Sequence, residues 1–312
     1  MKKVKTAHLS YLSLIIMLLF LPYIVKGKYD IMLFDQVLIN IMVVIGLNFI
    51  SGLTGQTNLG MAGIFGVGAY TSALLTTRLG LSPWLSLICV VNMGVILGIV
   101  LGYPSLRFSG TYLALTTIGF GEIARLLFNN MTDITYGTQG VANIPGYSFF
   151  NISISDEKSF YYLLLFFTVM SVLVALRIIK SKWGRAFKAI RDNELAVQSC
   201  GINVAEIKIK SFIVSTVYAC VAGALYAHLM GYINPSDFTL DLSVKYFMML
   251  VMGGIGTVTG SILGGIVITT LPEYLRFLKD YYWLIFSIIV LICIVLLPNG
   301  LVSVFKNPFK KA

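Results

Sequence analysis

The chain has 312 residues, of which 57% are hydrophobic and 12% charged, and its mean hydropathy is +0.87. A soluble globular domain carries roughly twice that charged fraction, so the composition specifies an integral membrane protein. The net charge of +10 is not a nucleic-acid signal; the cations collect at the two ends and in one central segment, where membrane topology accounts for them. Met1–Lys5 is basic and precedes an apolar run from Leu9 to Val25. Pro22-Tyr-Ile-Val-Lys26 offers no small-x-small cleavage site, so this run reads as a retained first span rather than a signal peptide. At the ~20 residues a helix needs to cross the hydrocarbon, further spans are predicted over 31–51, 57–77, 84–103, 110–128, 160–178 and 211–230, then within 242–271 and over 281–298.

Region 242–271 decides the count. As one long helix it gives nine spans and puts the chain ends on opposite sides. As two short spans broken at Gly253-Gly-Ile-Gly256 it gives ten and puts both ends on one side. Lys2, Lys3 and Lys5 at one end, and Lys306, Lys310 and Lys311 at the other, both call for the cytoplasm. Ten spans satisfy them and place the central basic segment inside as well. Loop 129–159, with Asp133, Asp156 and Glu157 against Lys158, then falls outside. The expected fold is an all-α polytopic membrane bundle of about ten helices, forming a single domain over 1–312.

Glycine spacing is the next signal. Gly94, Gly98 and Gly102 make a double GxxxG in the fourth span, and Gly256, Gly260 and Gly264 another in the ninth. Small residues at that spacing let helix backbones approach closely where lipid supplies no hydrophobic drive. The third and eighth spans are short or glycine-interrupted. If spans two to five and seven to ten form an inverted repeat, interruptions at matching places point to a transport path.

Glu122 and Arg125 lie one helical turn apart inside the fifth span. A lone charge at mid-bilayer costs at least ~2.5–3.5 kcal/mol on insertion scales, so the two either neutralise each other as a structural i,i+3 pair or face an aqueous path. Thr116 and Thr117 on the same span can bond a backbone carbonyl or line a polar cavity. Lys245 and His228 lie nearer span ends, where snorkelling or interfacial placement suffices.

The central segment, residues 180–203, is polar and basic between membrane-length apolar runs; from Arg177 to Lys210 there are eight Lys/Arg against three Asp/Glu. Arg185, Lys188 and Arg191 recur every third residue and share a helix face. Asp192 or Asn193 can cap a second short helix through Leu195, Ala196 and Val197, which Gly201 ends with positive φ. Asn203 with Glu206 starts the next helix. This is either a plain positive-inside loop or a docking helix for a cytoplasmic partner.

Other chemistry is not signalled. Cys89, Cys200, Cys220 and Cys293 are isolated, so no disulfide framework or CxxC site is implied. His8 and His228 are too far apart for a histidine metal site, and no cofactor motif is read. There is no GxxxxGK[ST] phosphate loop. Gly119-Phe-Gly-Glu-Ile-Ala124 fits the dinucleotide pattern only formally, lying in an apolar run with no strand before it. A proton-coupled transporter needs a buried carboxylate without a fixed partner, and a channel needs charge rings or a filter loop; neither stands out.

Four motifs together resemble the LivM-type permeases, one of the two membrane subunits of ABC importers for branched-chain amino acids. They are Gly52-Leu-Thr-Gly-Gln-Thr-Asn-Leu-Gly60, Gly110-x-Tyr-Leu-Ala-Leu-x-Thr-x-x-Phe-Gly-Glu-Ile-x-Arg125, Arg185-Ala-x-x-Ala-Ile-Arg-Asp-Asn-Glu-x-Ala196 with Gly201, and Gly253-Gly-Ile-Gly-Thr-x-x-Gly260. The resemblance implies a non-enzymatic conduit in the bacterial cytoplasmic membrane. It implies a second LivH-like permease, two cytoplasmic ATP-binding subunits and an external substrate-binding protein as partners. Urea and short amides are carried by close relatives. By resemblance, Arg185, Ala186, Ala189, Arg191, Asn193, Glu194, Ala196 and Gly201 form the segment that docks on the ATPase, with Leu195 in place of the pattern's first alanine. Thr135-Tyr-Gly-Thr-Gln-Gly140 departs from the family's double-glycine form.

Overall fold

The computed structural model describes residues 27–149, 152–153, 156–297 and 300–305. The expected first span and both terminal basic clusters lie outside them. The described helices begin with α1 (Lys28–Leu47), which runs straight into a π-helical turn, Asn48–Leu53. Then come α2 (Met61–Arg78), α3 (Pro83–Gly102), α4 (Thr111–Asn130) and α5 (Glu157–Lys180). Two short helices follow, α6 (Lys182–Asp192) and α7 (Glu194–Ser199), and after them α8 (Val204–Met230), α9 (Leu240–Gly253), α10 (Val258–Tyr274) and α11 (Tyr282–Leu296). Four stretches, Lys28–Leu53, Pro83–Leu106, Lys158–Lys180 and Val204–Met230, are long and apolar enough to cross a bilayer unaided. Among the described residues the β-strands are one short ladder, Ser148–Phe149 paired with Ile152–Ser153. The architecture is therefore the all-α membrane bundle that composition and hydropathy specify.

Region 242–271 is two helices. At 14 residues α9 is about 21 Å long, short of the ~30 Å hydrocarbon. Gly254 (φ 127°) and Gly256 (φ 83°) then turn the chain back on itself into α10. The hairpin closes on glycine: a Cβ at Gly253 would lie 1.9 Å from the Gly260 carbonyl oxygen, and one at Gly264 would lie 1.8 Å from that of Met249. Gly256 does not share this stripe, contrary to its spacing. It sits in the turn before α10, where helical periodicity no longer applies.

The centre of the bundle is α8. Gly94, Gly98 and Gly102 on α3 lie against the Cα atoms of Val217, Ile213 and Ile209, so each small residue meets one rung of the neighbouring helix. On another side, a Cβ at Gly223 of α8 would come 2.0 Å from the Phe65 carbonyl of α2.

Between the π turn and α2, over residues 54–60, the chain is neither helix nor strand, and inside a membrane protein its backbone groups still need partners. The Gly52–Gly60 motif supplies them. Thr54 Oγ1 donates to the Ile50 carbonyl (2.7 Å), Gly60 N to Asn58 Oδ1 (2.8 Å), Leu59 N to Thr117 Oγ1 (3.1 Å), and Thr57 Oγ1 to the Gly110 carbonyl (2.8 Å). The third span consequently begins at Met61, four residues later than hydropathy suggests.

A candidate coupling segment and transport face

Between α5 and α8 the chain leaves the apolar bundle as α6 and α7. Ser181 caps α6 by accepting from Trp183 N, and Asn193 (φ −161°) ends α6 and caps α7 by accepting from Ala196 N at 3.1 Å. Gly201 turns the chain at φ 75°, and Asn203 Oδ1 accepts from Glu206 N to start α8. Each junction is set by a short polar side chain or a glycine, which makes the segment a rigid elbow rather than a slack loop.

One side of the elbow is anchored. Phe187 is fully buried, and with Ile190 and Val197 it packs on Phe49, Leu53, Val204 and Ile207. The Phe49 and Phe187 rings meet edge to face at 6.3 Å. Full burial of one such side chain contributes about 1.5–3 kcal/mol. Two charged residues are also directed inward. Glu194 accepts from the buried Lys208 of α8 at 2.7 Å, and Arg191 Nη1 donates to the Gly52 carbonyl at 2.6 Å.

The opposite side is uncovered. Arg185, Lys188 and Ala196 are exposed, Ala186 and Ala189 are half-buried, and Leu195 is 74% exposed. The expected ridge of Leu195, Ala196 and Val197 therefore divides: Val197 turns into the bundle, because a six-residue helix cannot present three consecutive residues on one face.

Arg191 ends at a junction sequence spacing did not reveal. Gly52 lies within the π turn that follows α1, and the Gly256 amide in the α9–α10 turn donates to Asn48 Oδ1 of that same π turn at 2.8 Å. A side chain at Gly256 would come within 3.0 Å of the Arg191 guanidinium, and one at Gly52 within 2.8 Å of Gly256 N. The elbow is thus tied to the point where two interrupted helices meet. π turns inside α-helices recur at functional sites.

On α4, Arg125 donates to Glu122 through Nε at 3.1 Å and through a second, shorter contact from Nη2. The pair is not buried: the Arg125 and Glu122 side chains are 29% and 44% exposed. Thr116 bonds the Tyr112 carbonyl on the same helix, whereas Thr117 is buried and holds Leu59. These four residues are not brought together with the elbow.

At the far end of α8, roughly 40 Å from the elbow by helix length, the loop after α4 meets the turn before α9. Val141 and Ile233 exchange backbone bonds, and Tyr232 Oη donates to the Gln139 carbonyl. His228 is more than interfacial. Its Nδ1 lies 2.7 Å from the Pro145 carbonyl, which can only accept, so Nε2 accepts from Ser72 at 2.8 Å.

The family model for the branched-chain amino acid transport system permease component matches residues 31–295. The chain belongs to this family. It is 32% identical, over 97% of its length and 76% of the relative's, to the high-affinity branched-chain amino acid transport system permease protein LivM of Escherichia coli (strain K12). It is 24% identical, over 84% of its length and 90% of the relative's, to the LivH permease of the same organism. Similarity extends to the autoinducer 2 import system permease LsrC of Yersinia enterocolitica, at 26% over 81% of this chain and 69% of that one. No solved structure matches. The permease is accordingly an integral inner-membrane component of a transport system.

Proposed function

We propose that this permease is the LivM-like half of an ABC importer for branched-chain amino acids. In this reading it forms the path with a LivH-like second permease, receives substrate from an external binding protein, and is driven by two cytoplasmic ATP-binding subunits. The capped elbow, anchored on one face through Phe187, Ile190 and Val197 and uncovered on the other at Arg185, Lys188, Leu195 and Ala196, carries the reading. A rigid cytoplasmic element with one face seated in the bundle is suited to pass a partner's movement to it. The α6–α7 elbow then lies on the cytoplasmic side with both chain ends, and Arg185, Lys188, Leu195 and Ala196 face the ATPase.

The half-exposed Glu122–Arg125 pair supports the second permease. A charged pair facing lipid is costly, so the α4 face that carries it is the face the partner permease or the water-filled path covers. The greater identity to LivM than to LsrC favours branched-chain amino acids over the autoinducer 2 named for LsrC.

Uptake tests the substrate. A strain lacking its own branched-chain amino acid importers, supplied with this chain and its partner subunits, is expected to accumulate radiolabelled leucine. Unlabelled isoleucine and valine should compete, and urea and short amides should not. Competition by urea or amides alone would reassign the substrate.

A further inference from the structure

At the end of α8 remote from the elbow, a cavity of about 130 Å³ opens between α1, α8 and α9. On this measure one water needs roughly 10–15 Å³, so the space has room for a small solute or for several waters. A second cavity, beside Glu122, is about 10 Å³, room for one water at most.

The lining is polar beside an apolar bundle: Gln36 and Asn40 from α1, the exposed Asp237 from the turn before α9, and Lys245 from α9. Lys245 lies more than one turn inside α9 and makes no hydrogen bond or ion pair with any described residue. Snorkelling or interfacial placement is the expectation from its position near a span end; in the structure it borders this partly open cavity. An intramembrane cation without a partner marks a site where a ligand or ion supplies the missing charge. Asp237 accepts the Asn234 amide at 2.9 Å through Oδ2, leaving Oδ1 without a described partner. Asn40 donates to Thr269 Oγ1 at 2.9 Å, so its own Oδ1 is left to accept. The remaining wall is apolar, with Ile39, Phe65 and Leu242.

We propose that this cavity is a transit site for a zwitterionic α-amino acid with an apolar side chain. The Lys245 ammonium holds the carboxylate, Asp237 and the Asn40 carbonyl hold the ammonium, and Ile39, Phe65 and Leu242 receive the side chain. Asp237 is exposed to solvent and Lys245 half-buried on the same cavity wall, so a ligand with both charges engages both residues, whereas a simple anion meets Lys245 alone and a simple cation Asp237 alone. This inference rests on the amino-acid import reading above and adds a binding site within the permease itself.

Equilibrium binding of radiolabelled L-leucine to the purified importer complex, without its external binding protein, tests it. Wild type is expected to bind saturably. Leucinamide, which lacks the carboxylate, and 4-methylpentanoate, which lacks the ammonium, should each compete at least tenfold less well than isoleucine. Lys245→Gln should weaken binding at least tenfold and Lys245→Arg should restore much of it. Absence of saturable binding in a wild-type complex that still imports leucine overturns the proposal while leaving the importer reading intact. Equal competition by leucinamide, or unchanged binding in Lys245→Gln, also overturns it. A complex that imports other solutes but never leucine defeats the import reading, and this site with it.

Discussion

Gly264→Ala is expected to remove most of the permease from the membrane, although it adds one methyl group. The new Cβ would sit 1.8 Å from the Met249 carbonyl oxygen and 3.1 Å from the Gly253 Cα, both backbone atoms of the facing helix, so no flexible side chain can yield. The two helices would have to part along the whole α9–α10 hairpin. Overpacking typically costs 1–3 kcal/mol and occasionally more; a backbone-to-backbone clash belongs at the upper end, about a hundredfold in the folded ratio. Abundance in purified membranes and thermal midpoint in detergent measure this. Gly119→Ala is the control, since nothing lies within 4 Å of its Cβ position and alanine favours helix by up to ~1 kcal/mol. Equal abundance of the two variants would contradict the packing described.

Arg191→Ala is expected to lower uptake at least tenfold while the ATPase subunits still co-purify. The guanidinium joins the elbow to Gly52, whose π turn is in turn bonded to the Gly256 amide. A hydrogen bond from a charged donor contributes about 1.5–3 kcal/mol, equivalent to roughly a 10–150-fold bias between two arrangements of the junction. The outward face at Arg185, Lys188 and Leu195 is untouched by the change, so docking persists. What is lost is the link that carries an elbow movement to both helix interruptions, and hydrolysis should cease to respond to loaded binding protein. Arg191→Lys should recover only part of the uptake, because one point donor replaces a planar fork. Uptake within twofold of wild type in Arg191→Ala would remove Arg191 from the coupling route.

What could be read from the sequence was whatever repeats within one helix or one turn. The Gly94, Gly98, Gly102 spacing lies along a single helix and leads straight to the α8 backbone. The caps at Asn193, Gly201 and Asn203 are likewise local. Spacing fails where the chain stops being helical: Gly256 fits a GxxxG stripe with Gly260 and Gly264 by number alone, yet it lies in the turn that the Gly253-Gly-Ile-Gly256 break marks. It fails again where long side chains fold back. Arg191 shares a face with Arg185 and Lys188 by periodicity, but it is in the last turn of α6 and reaches a carbonyl 139 residues away. The π turn, the inward Glu194–Lys208 pair and the cavity around Lys245 all depend on residues distant in the chain, and no local pattern records them.

The central claim is that the α6–α7 elbow is the surface that meets the ATPase, and a cysteine at Leu195 tests it most directly. In a background with Cys200, which is exposed, replaced by serine, Leu195→Cys should cross-link to an ATP-binding subunit through a short bifunctional reagent, with a yield that changes when ATP binds. A cysteine at Ser148, at the opposite end of the bundle, should give no such product and should react in intact cells with a membrane-impermeant thiol reagent. Labelling of Leu195→Cys from outside intact cells, or the absence of any ATPase adduct in an assembled and transporting complex, would contradict the account.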